Sequence, residues 1–303
     1  MLGIVAKIVG SDCFVCNEQG QSVVCKVRGN FRIKGIKSTN PVAVGDRVEF
    51  DEAGYITQLH DRKNYIVRRP TNLSKQLHII AANIDQAVLM VTLRQPETSP
   101  IFIDRFLVTT EAYGVPTILV FNKIDLLDKK WREQLDNLCQ IYEKIGYRCV
   151  RIVAETGENL DALKSLLQGK TTLLSGNSGV GKSTLINRLV PHAAARTGAI
   201  SEAHLKGMHT TTFSEMYDIG GGTFVIDTPG VKGFGMVNMT ADEVGHFFPE
   251  MFAASQACRF ANCSHTHEPD CAVLAAVESG DIAPSRYESY LSIRTDFGES
   301  KYR

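Results

Sequence analysis

The residues whose types and spacing best suit chemistry lie at 176–184, where the chain reads GNSGVGKST. Gly176, Gly181, Lys182 and Ser183 are spaced as in a phosphate-binding loop, with Asn177, Ser178, Gly179 and Val180 forming the turn and Thr184 just inside the helix that follows. Glycines let successive backbone N–H groups wrap a polyphosphate, and a helix N-terminus adds positive potential. Lys182 can neutralise phosphate charge, and the Ser183 hydroxyl can ligate magnesium. Residues 171–175 read as a strand and 182–189 as a helix, which is the strand–loop–helix setting this motif needs.

The phosphate loop does not choose the base. Asn122-Lys123-Ile124-Asp125 does, because it follows a buried-strand run at 117–121, and ligand-binding loops gather at the carboxyl ends of parallel strands. The Asp125 carboxylate can accept from guanine N1–H and the 2-amino group. Adenine has an acceptor at N1 and no 2-amino group, so ATP would leave a desolvated charge unpaired. Lys123 can lay its stem along the base, Asn122 can tie this loop to the phosphate loop, and the segment from Ala154 to 157 can offer a backbone N–H to guanine O6.

Asp227-Thr228-Pro229-Gly230 ends a strand-like run at 224–226. Asp227 can hold magnesium through a water, and the Gly230 N–H can meet a γ-phosphate. Upstream, residues 207–212 read GMHTTT, a segment of hydroxyls in which Thr211 is the candidate second magnesium ligand. Many GTPases follow the aspartate turn with a glutamine that orients water, but this chain has Val231, which has no polar group for that task. His209 is the internal candidate for positioning the water, joining Lys182 as a catalytic residue; the alternative is an ordinary loop histidine.

A second cluster lies near the C-terminus, where Cys258, Cys263, His265 and Cys271 follow the pattern Cys-x4-Cys-x-His-x5-Cys. Three thiolates and one imidazole make a closed set suited to one structural zinc, with no open position for a reactive water. Separate buried thiols or a redox site are the alternatives, and His267 is a rival to His265. Cys13 and Cys16 also have CxxC spacing, but an odd separation in a strand sends them to opposite faces, so a structural reading is preferred.

These residues must be carried by more than one domain, since 303 residues exceed one small module and no tandem repeat is visible. Up to residue 69 the pattern is five short strands, at 3–9, 14–16, 22–27, 46–50 and 55–59, without a helix: a five-stranded barrel of OB type or another small β domain. Residues 70–235 alternate strands with helices, implying a parallel sheet with crossover helices. From 236 to 303 the chain turns helical around the cysteines. The base-reading loop precedes the phosphate loop, the reverse of the usual GTPase order, so the middle domain is expected to be circularly permuted.

With 33 basic and 33 acidic residues, attraction to nucleic acid has to come from local asymmetry. One such interval runs from residue 19 to 45, which contains no acid but holds Lys26, Arg28, Phe31, Arg32 and Lys34, the candidate RNA contacts; a merely solvated loop is the alternative. Hydrophobic residues at 44% and charged residues at 22% exclude a wholly disordered or fibrous chain. The N-terminus lacks the sustained apolar core of a signal peptide, and no run approaches membrane-spanning length. A cytoplasmic protein with no membrane association is expected, its eight cysteines serving as thiols or metal ligands.

Taken together, the permuted motif order, residues 81–86 (AANIDQ), HTTT at 209–212 and the Cys₃His pattern resemble the ribosome-small-subunit-dependent GTPase A family over nearly the whole chain. The resemblance implies an OB-fold barrel, a permuted P-loop GTPase domain and a small helical zinc domain. It also implies a GTP hydrolase that binds ribosomal RNA, uses magnesium with GTP and GDP, and assists late maturation of the small ribosomal subunit as a monomer. Thr228 stands where serine is also common. The rival reading from another class is an RNA-binding placeholder for which GTP is only a conformational ligand; an ATP-dependent kinase is a distant third, opposed by Asp125.

Overall fold

Alternating apolar residues in the first sixty positions close into a barrel in the computed structural model, which describes residues 1–27, 41–68, 78–190, 214–228 and 239–299. Strands β1 (Leu2–Val9), β2 (Asp12–Asn17), β3 (Ser22–Val27), β4 (Arg47–Phe50) and β5 (Tyr55–Leu59) lie in the order β1-β2-β3-β5-β4, and β4 returns to pair with β1. This is a five-stranded barrel of OB type. Its interior is filled by Val5, Val15, Val48, Phe50 and Ile56, with Cys13 facing Cys25 across the β2–β3 ladder. Burial pushes the Cys13 thiol up to about 11, as expected of an inert core thiol, whereas Cys16 is only partly covered.

The barrel is fixed to the rest of the chain on two sides. A hairpin of β6 (Tyr65–Arg68) and β7 (His78–Ala82) leads out of it, and the Ala82 N–H donates to the Val44 carbonyl at 2.9 Å. Gly45 sits there at φ +90°; a Cβ on it would lie 2.2 Å from the Ala82 oxygen, so only glycine permits this backbone contact. On the other side, β1 pairs with a strand of the central sheet at Lys7↔Glu215, where the Lys7 ammonium meets Glu215 Oε1 at 3.1 Å.

The central sheet comprises β8 (Gln86–Val91), β9 (Thr117–Phe121), β10 (Arg148–Arg151), β11 (Thr171–Gly176), β12 (Glu215–Gly220) and β13 (Thr223–Asp227) in the order β10-β9-β8-β11-β13-β12. All run parallel except the antiparallel β12. Helices α1 (Pro100–Ala112) and α2 (Lys129–Ile145) cover one face, and α3 (Leu160–Leu167) and α4 (Lys182–Leu189) the other. Hence β8 is apolar throughout: Ala87, Leu89 and Val91 meet the first pair of helices, Val88 and Met90 the second. From β8 the chain runs outward to β9 and β10, returns at β11, and continues to β13 on the opposite side. The reversal between β8 and β11 makes their carboxyl ends the ligand crevice.

The C-terminal helices α5 (Pro249–Ser255), α6 (Ala272–Glu278) and α7 (Pro284–Glu299) share a core of Phe248, Met251, Val273, Tyr290 and Ile293, which also takes in Val108 of α1. The third unit therefore packs directly on the nucleotide domain. The hairpin β6–β7 and strand β12 were not anticipated from sequence. In β12, EMYDIG, only Met216 and Tyr217 are buried, too little alternation to mark a strand.

Candidate guanine-nucleotide site and metal centre

Between β11 and α4, the chain turns through Gly176, Gly179 and Gly181, all at positive φ. A Cβ at Gly176 would stand 2.6 Å from the Met90 oxygen, and one at Gly181 2.4 Å from Asn122 Nδ2, so these glycines are required by the neighbouring backbone and side chain. Lys182 folds back over the loop and donates to the Gly176 and Asn177 carbonyls at 2.8 Å each. Burial lowers its proton affinity, and the nearby Asp227 carboxylate opposes that fall. The ammonium is thus held over a loop that presents backbone N–H groups, an arrangement that can receive phosphate.

Asn122 joins the two nucleotide loops. Its Nδ2 donates to the Val180 carbonyl at 2.8 Å while its Oδ1 accepts from the Ala154 N–H at 2.9 Å. Lys123, at φ +61°, reaches the Gly179 carbonyl at 2.8 Å and the Gln95 carbonyl at 2.5 Å. Ile124 and Asp125 begin a single 3-10 turn, Ile124–Leu126, which leaves the Asp125 side chain exposed at the mouth. Within the 154–157 segment, the Ala154 N–H is engaged by Asn122 and the Gly157 N–H by the Val153 carbonyl at 2.8 Å. That segment is also tied to α4 by Arg188, whose guanidinium donates to the Glu155 carbonyl.

Ser183 is half-buried at the start of α4, and Asp227 is fully buried at the end of β13, paired in register with Leu174 of β11. A hydroxyl at the start of α4 and a carboxylate at the end of β13 are hard oxygen donors, which suit magnesium. Of the remaining candidates, His209, Thr211 and Gly230 lie outside the described residues, as do Arg28, Phe31, Arg32 and Lys34; Lys26 is exposed on β3, 4.0 Å from Asp12.

Cys258, Cys263, His265 and Cys271 come together with all their ligand atoms within 4.8 Å of one another. Cys258 Sγ is 3.7 Å from His265 Nδ1 and 3.9 Å from Cys271 Sγ, and Cys271 Sγ is 3.5 Å from the same nitrogen. A tetrahedral zinc with bonds of about 2.0 to 2.3 Å sets its ligand atoms roughly 3.4 to 3.8 Å apart, so the set fits that ion. His265, not His267, joins the cluster; His267 turns outward toward the Thr266 hydroxyl. The supporting shell is built for the purpose. Tyr287 and Tyr290 donate to the His265 and Ser264 carbonyls, and the Glu268 carboxylate gathers the N–H groups of Ser264, Thr266 and His267. Burial together with the neighbouring thiols pushes Cys263 up to about 12, a proximity that a divalent cation would turn to advantage.

Sequence reasoning missed the loop at 93–97, whose Gln95 carbonyl and Pro96 ring lie against the phosphate loop. A Gln-Pro pair a few residues past a buried strand was the available signal.

Comparison with known proteins agrees with this geometry. The model for the RsgA GTPase matches residues 59–237, and that for the RsgA N-terminal domain matches residues 2–56. A Porphyromonas gingivalis protein named small ribosomal subunit biogenesis GTPase RsgA is 57% identical over 312 residues, covering 100% of this chain and 99% of its own. Small ribosomal subunit biogenesis GTPase RsgA 2 of Bacteroides thetaiotaomicron is 54% identical, again over 100% of this chain and 99% of its own. Among solved structures, YjeQ from Thermotoga maritima superposes with a TM-score of 0.76 at 36% identity, covering 98% of each chain. YloQ, described as a circularly permuted GTPase, gives 0.72 at 30% identity over 100% of this chain and 96% of its own.

Proposed function

The chain belongs to the RsgA GTPase family and is a circularly permuted GTP hydrolase; from that premise we propose that its turnover serves late maturation of the small ribosomal subunit and is stimulated by that subunit. The observation that carries the nucleotide part is Asn122, which holds the base-reading and phosphate-binding loops in one crevice by bonding to Val180 and Ala154.

In this reading, the N–H groups of 176–184 wrap the phosphates, Lys182 neutralises charge on the transferring group, and Asp125 selects guanine. Ser183, Asp227 through a water, and Thr211 hold magnesium, which draws charge from the β- and γ-phosphates when bound. Gly230 meets the γ-phosphate. The water-positioning role goes to His209, because Val231 has no polar group to take it. The Cys₃His cluster holds one structural zinc. The chain works as a monomer in the cytoplasm, divided into a barrel (1–69) that contacts ribosomal RNA, a GTPase domain (70–235) and a zinc domain (236–303). Among the described residues, no helix is long and apolar enough to cross a membrane.

The deciding experiment is multiple-turnover GTP hydrolysis with and without purified small subunits, run for wild type and His209→Ala. Turnover that rises with subunits in wild type and fails to rise in the variant, at similar GTP affinity, is expected. Turnover indifferent to subunits would refute the coupling; equal stimulation of both proteins would move water positioning to the ribosome or another residue.

A further inference from the structure

The loop between β8 and α1 has no part in the nucleotide motifs, yet it touches two of them. Its ends are fastened to each other. The Thr98 N–H donates to the Thr92 carbonyl at 2.9 Å, the Thr98 hydroxyl accepts from the Thr92 N–H at 3.3 Å, and the Thr92 hydroxyl donates to the Pro96 carbonyl at 2.5 Å. Both threonines are buried, so these bonds are shielded from competing water. Residues 93–97 are therefore a closed loop of fixed shape, standing at the carboxyl edge of the sheet where β8 and β11 diverge.

The far side of this loop bears on the phosphate loop. The Pro96 ring lies against Gly179, where a Cβ would find Pro96 Cδ at 3.4 Å. The Gln95 carbonyl shares the Lys123 ammonium with the Gly179 carbonyl, at 2.5 and 2.8 Å. Gly179, at φ +82°, is the exposed turn of the phosphate loop, whereas Gly176 is buried and Gly181 partly covered. A carbonyl oriented by a lysine and backed by a proline ring cannot easily rotate, and rotation of that peptide would turn neighbouring N–H groups away from a phosphate.

We propose that residues 93–97 are a brace for the phosphate loop, and that Thr92, whose described hydrogen bonds run to Thr98 and Pro96, is a positioning residue that sets how long guanine nucleotides stay bound. The inference rests on the reading of this crevice as the guanine-nucleotide site. It assigns to the brace a phosphate-end role, distinct from base selection by Asp125. Pre-organisation of this kind acts on dissociation more than on encounter.

The test uses the full-length protein and a fluorescent GDP, with displacement followed by stopped flow. Wild-type binding of GDP checks the underlying reading by itself; if wild type does not bind, the site assignment fails and the brace is not at issue. Given wild-type binding, Thr92→Val, which keeps the shape and deletes the hydroxyl, should speed GDP dissociation by about two- to tenfold, the equivalent of one net hydrogen bond, with little change in association rate. Thr92→Ser should restore the wild-type rate. The preference for GDP over IDP, which lacks the 2-amino group, should be unchanged in all three proteins, and the nucleotide-free melting midpoint of Thr92→Val should fall by only the few degrees that one buried hydrogen bond accounts for. Wild-type dissociation in Thr92→Val overturns the proposal. So does faster dissociation accompanied by loss of the GDP-over-IDP preference or of cooperative nucleotide-free melting, since either marks general damage.

Discussion

Arg286 Nη1 donates to Asp104 Oδ1 at 2.6 Å across 182 positions of sequence, joining α7 to α1 in an interior where both side chains are almost wholly buried. The rest of the guanidinium is spent on Glu250 of α5, at 2.7 and 3.1 Å, and its face lies 4.5 Å above the Phe248 ring. Tyr142 of α2 donates to the same Asp104 oxygen at 2.7 Å. One arginine thus binds the C-terminal helices to the two helices covering the base-reading side of the sheet, with the planar fork that lysine lacks. Arg286→Met should leave two carboxylates without their cation and lower stability by about 3 to 5 kcal/mol. Arg286→Lys should fall between. Chemical denaturation of the three proteins measures this, and coincident midpoints would show that the two units do not depend on the pair.

For the base pocket, Asp125→Asn is expected to reduce GTP affinity by about 10² to 10⁴, the loss of two charge-assisted hydrogen bonds. It should improve binding of xanthosine triphosphate, because the amide can donate to the carbonyl that replaces the 2-amino group. Lys182→Ala should weaken both nucleotides alike. Calorimetric titration of the two triphosphates against the three proteins distinguishes these outcomes; full GTP affinity in the Asn variant would remove Asp125 from the pocket.

Purified without chelator, the protein should carry about one tightly held zinc per chain. Cys258→Ser and Cys271→Ser should release it and loosen the segment around α6, because ligation energy is folding energy in so small a unit. Nucleotide affinity should largely survive, since the crevice is built from β8, β9, β11 and α4. Elemental analysis and limited proteolysis report on the two parts separately, and zinc-free protein with an equally protected C-terminal segment would contradict the assignment.

Much of this arrangement was legible because the signals were local. A phosphate loop, a base-reading tetrapeptide and a cysteine-histidine spacing each declare themselves within fourteen residues or fewer, and the order of the first two disclosed the permutation. What stayed hidden depended on distant partners. Arg286 sits in RYESYLSIR with nothing to mark it as buried, because its partners Asp104 and Glu250 are supplied by other helices. His265, by contrast, is preferred to His267 on spacing alone, and it is His265, at φ +54°, that lies in the cluster. Strand β12 owes its place to pairing with β1 and β13 rather than to its own pattern.

Asp85 gives a pH-dependent expectation. Burial pushes its carboxyl up, but the Lys63 ammonium at 2.8 Å and the Thr171 N–H at 2.8 Å outweigh this and hold it below its ordinary 3.8. A folded value below the unfolded one means that stability is contributed above about pH 4 and is lost as pH falls through the folded value. With the Lys63 partner exposed, the contribution is expected to be modest, within about 1 kcal/mol. Asp85→Asn should therefore melt slightly below wild type at pH 7, with the gap closing under pH 4. A gap constant across that range would mean that the variant acts through packing instead.

The basic interval gives the last expectation, which concerns the ribosome. Lys26 projects from β3 with an exposed side chain, at the edge of an interval that continues through Arg28, Phe31, Arg32 and Lys34. The chain as a whole carries no net charge, so affinity for RNA phosphates has to be concentrated in such places. Each phosphate neutralised releases counterions, and the slope of log affinity against log salt counts the contacts, at roughly 0.7 to 0.9 per phosphate. Replacing Arg28, Arg32 and Lys34 by glutamine should weaken association with small subunits and reduce the magnitude of that slope by about two to three. Phe31→Leu should weaken association without changing the slope, since stacking releases no ions. Light-scattering or filter-binding titrations across a salt series separate the two effects. A triple variant whose slope matches wild type would show that this interval is a solvated loop and that the RNA contacts lie elsewhere.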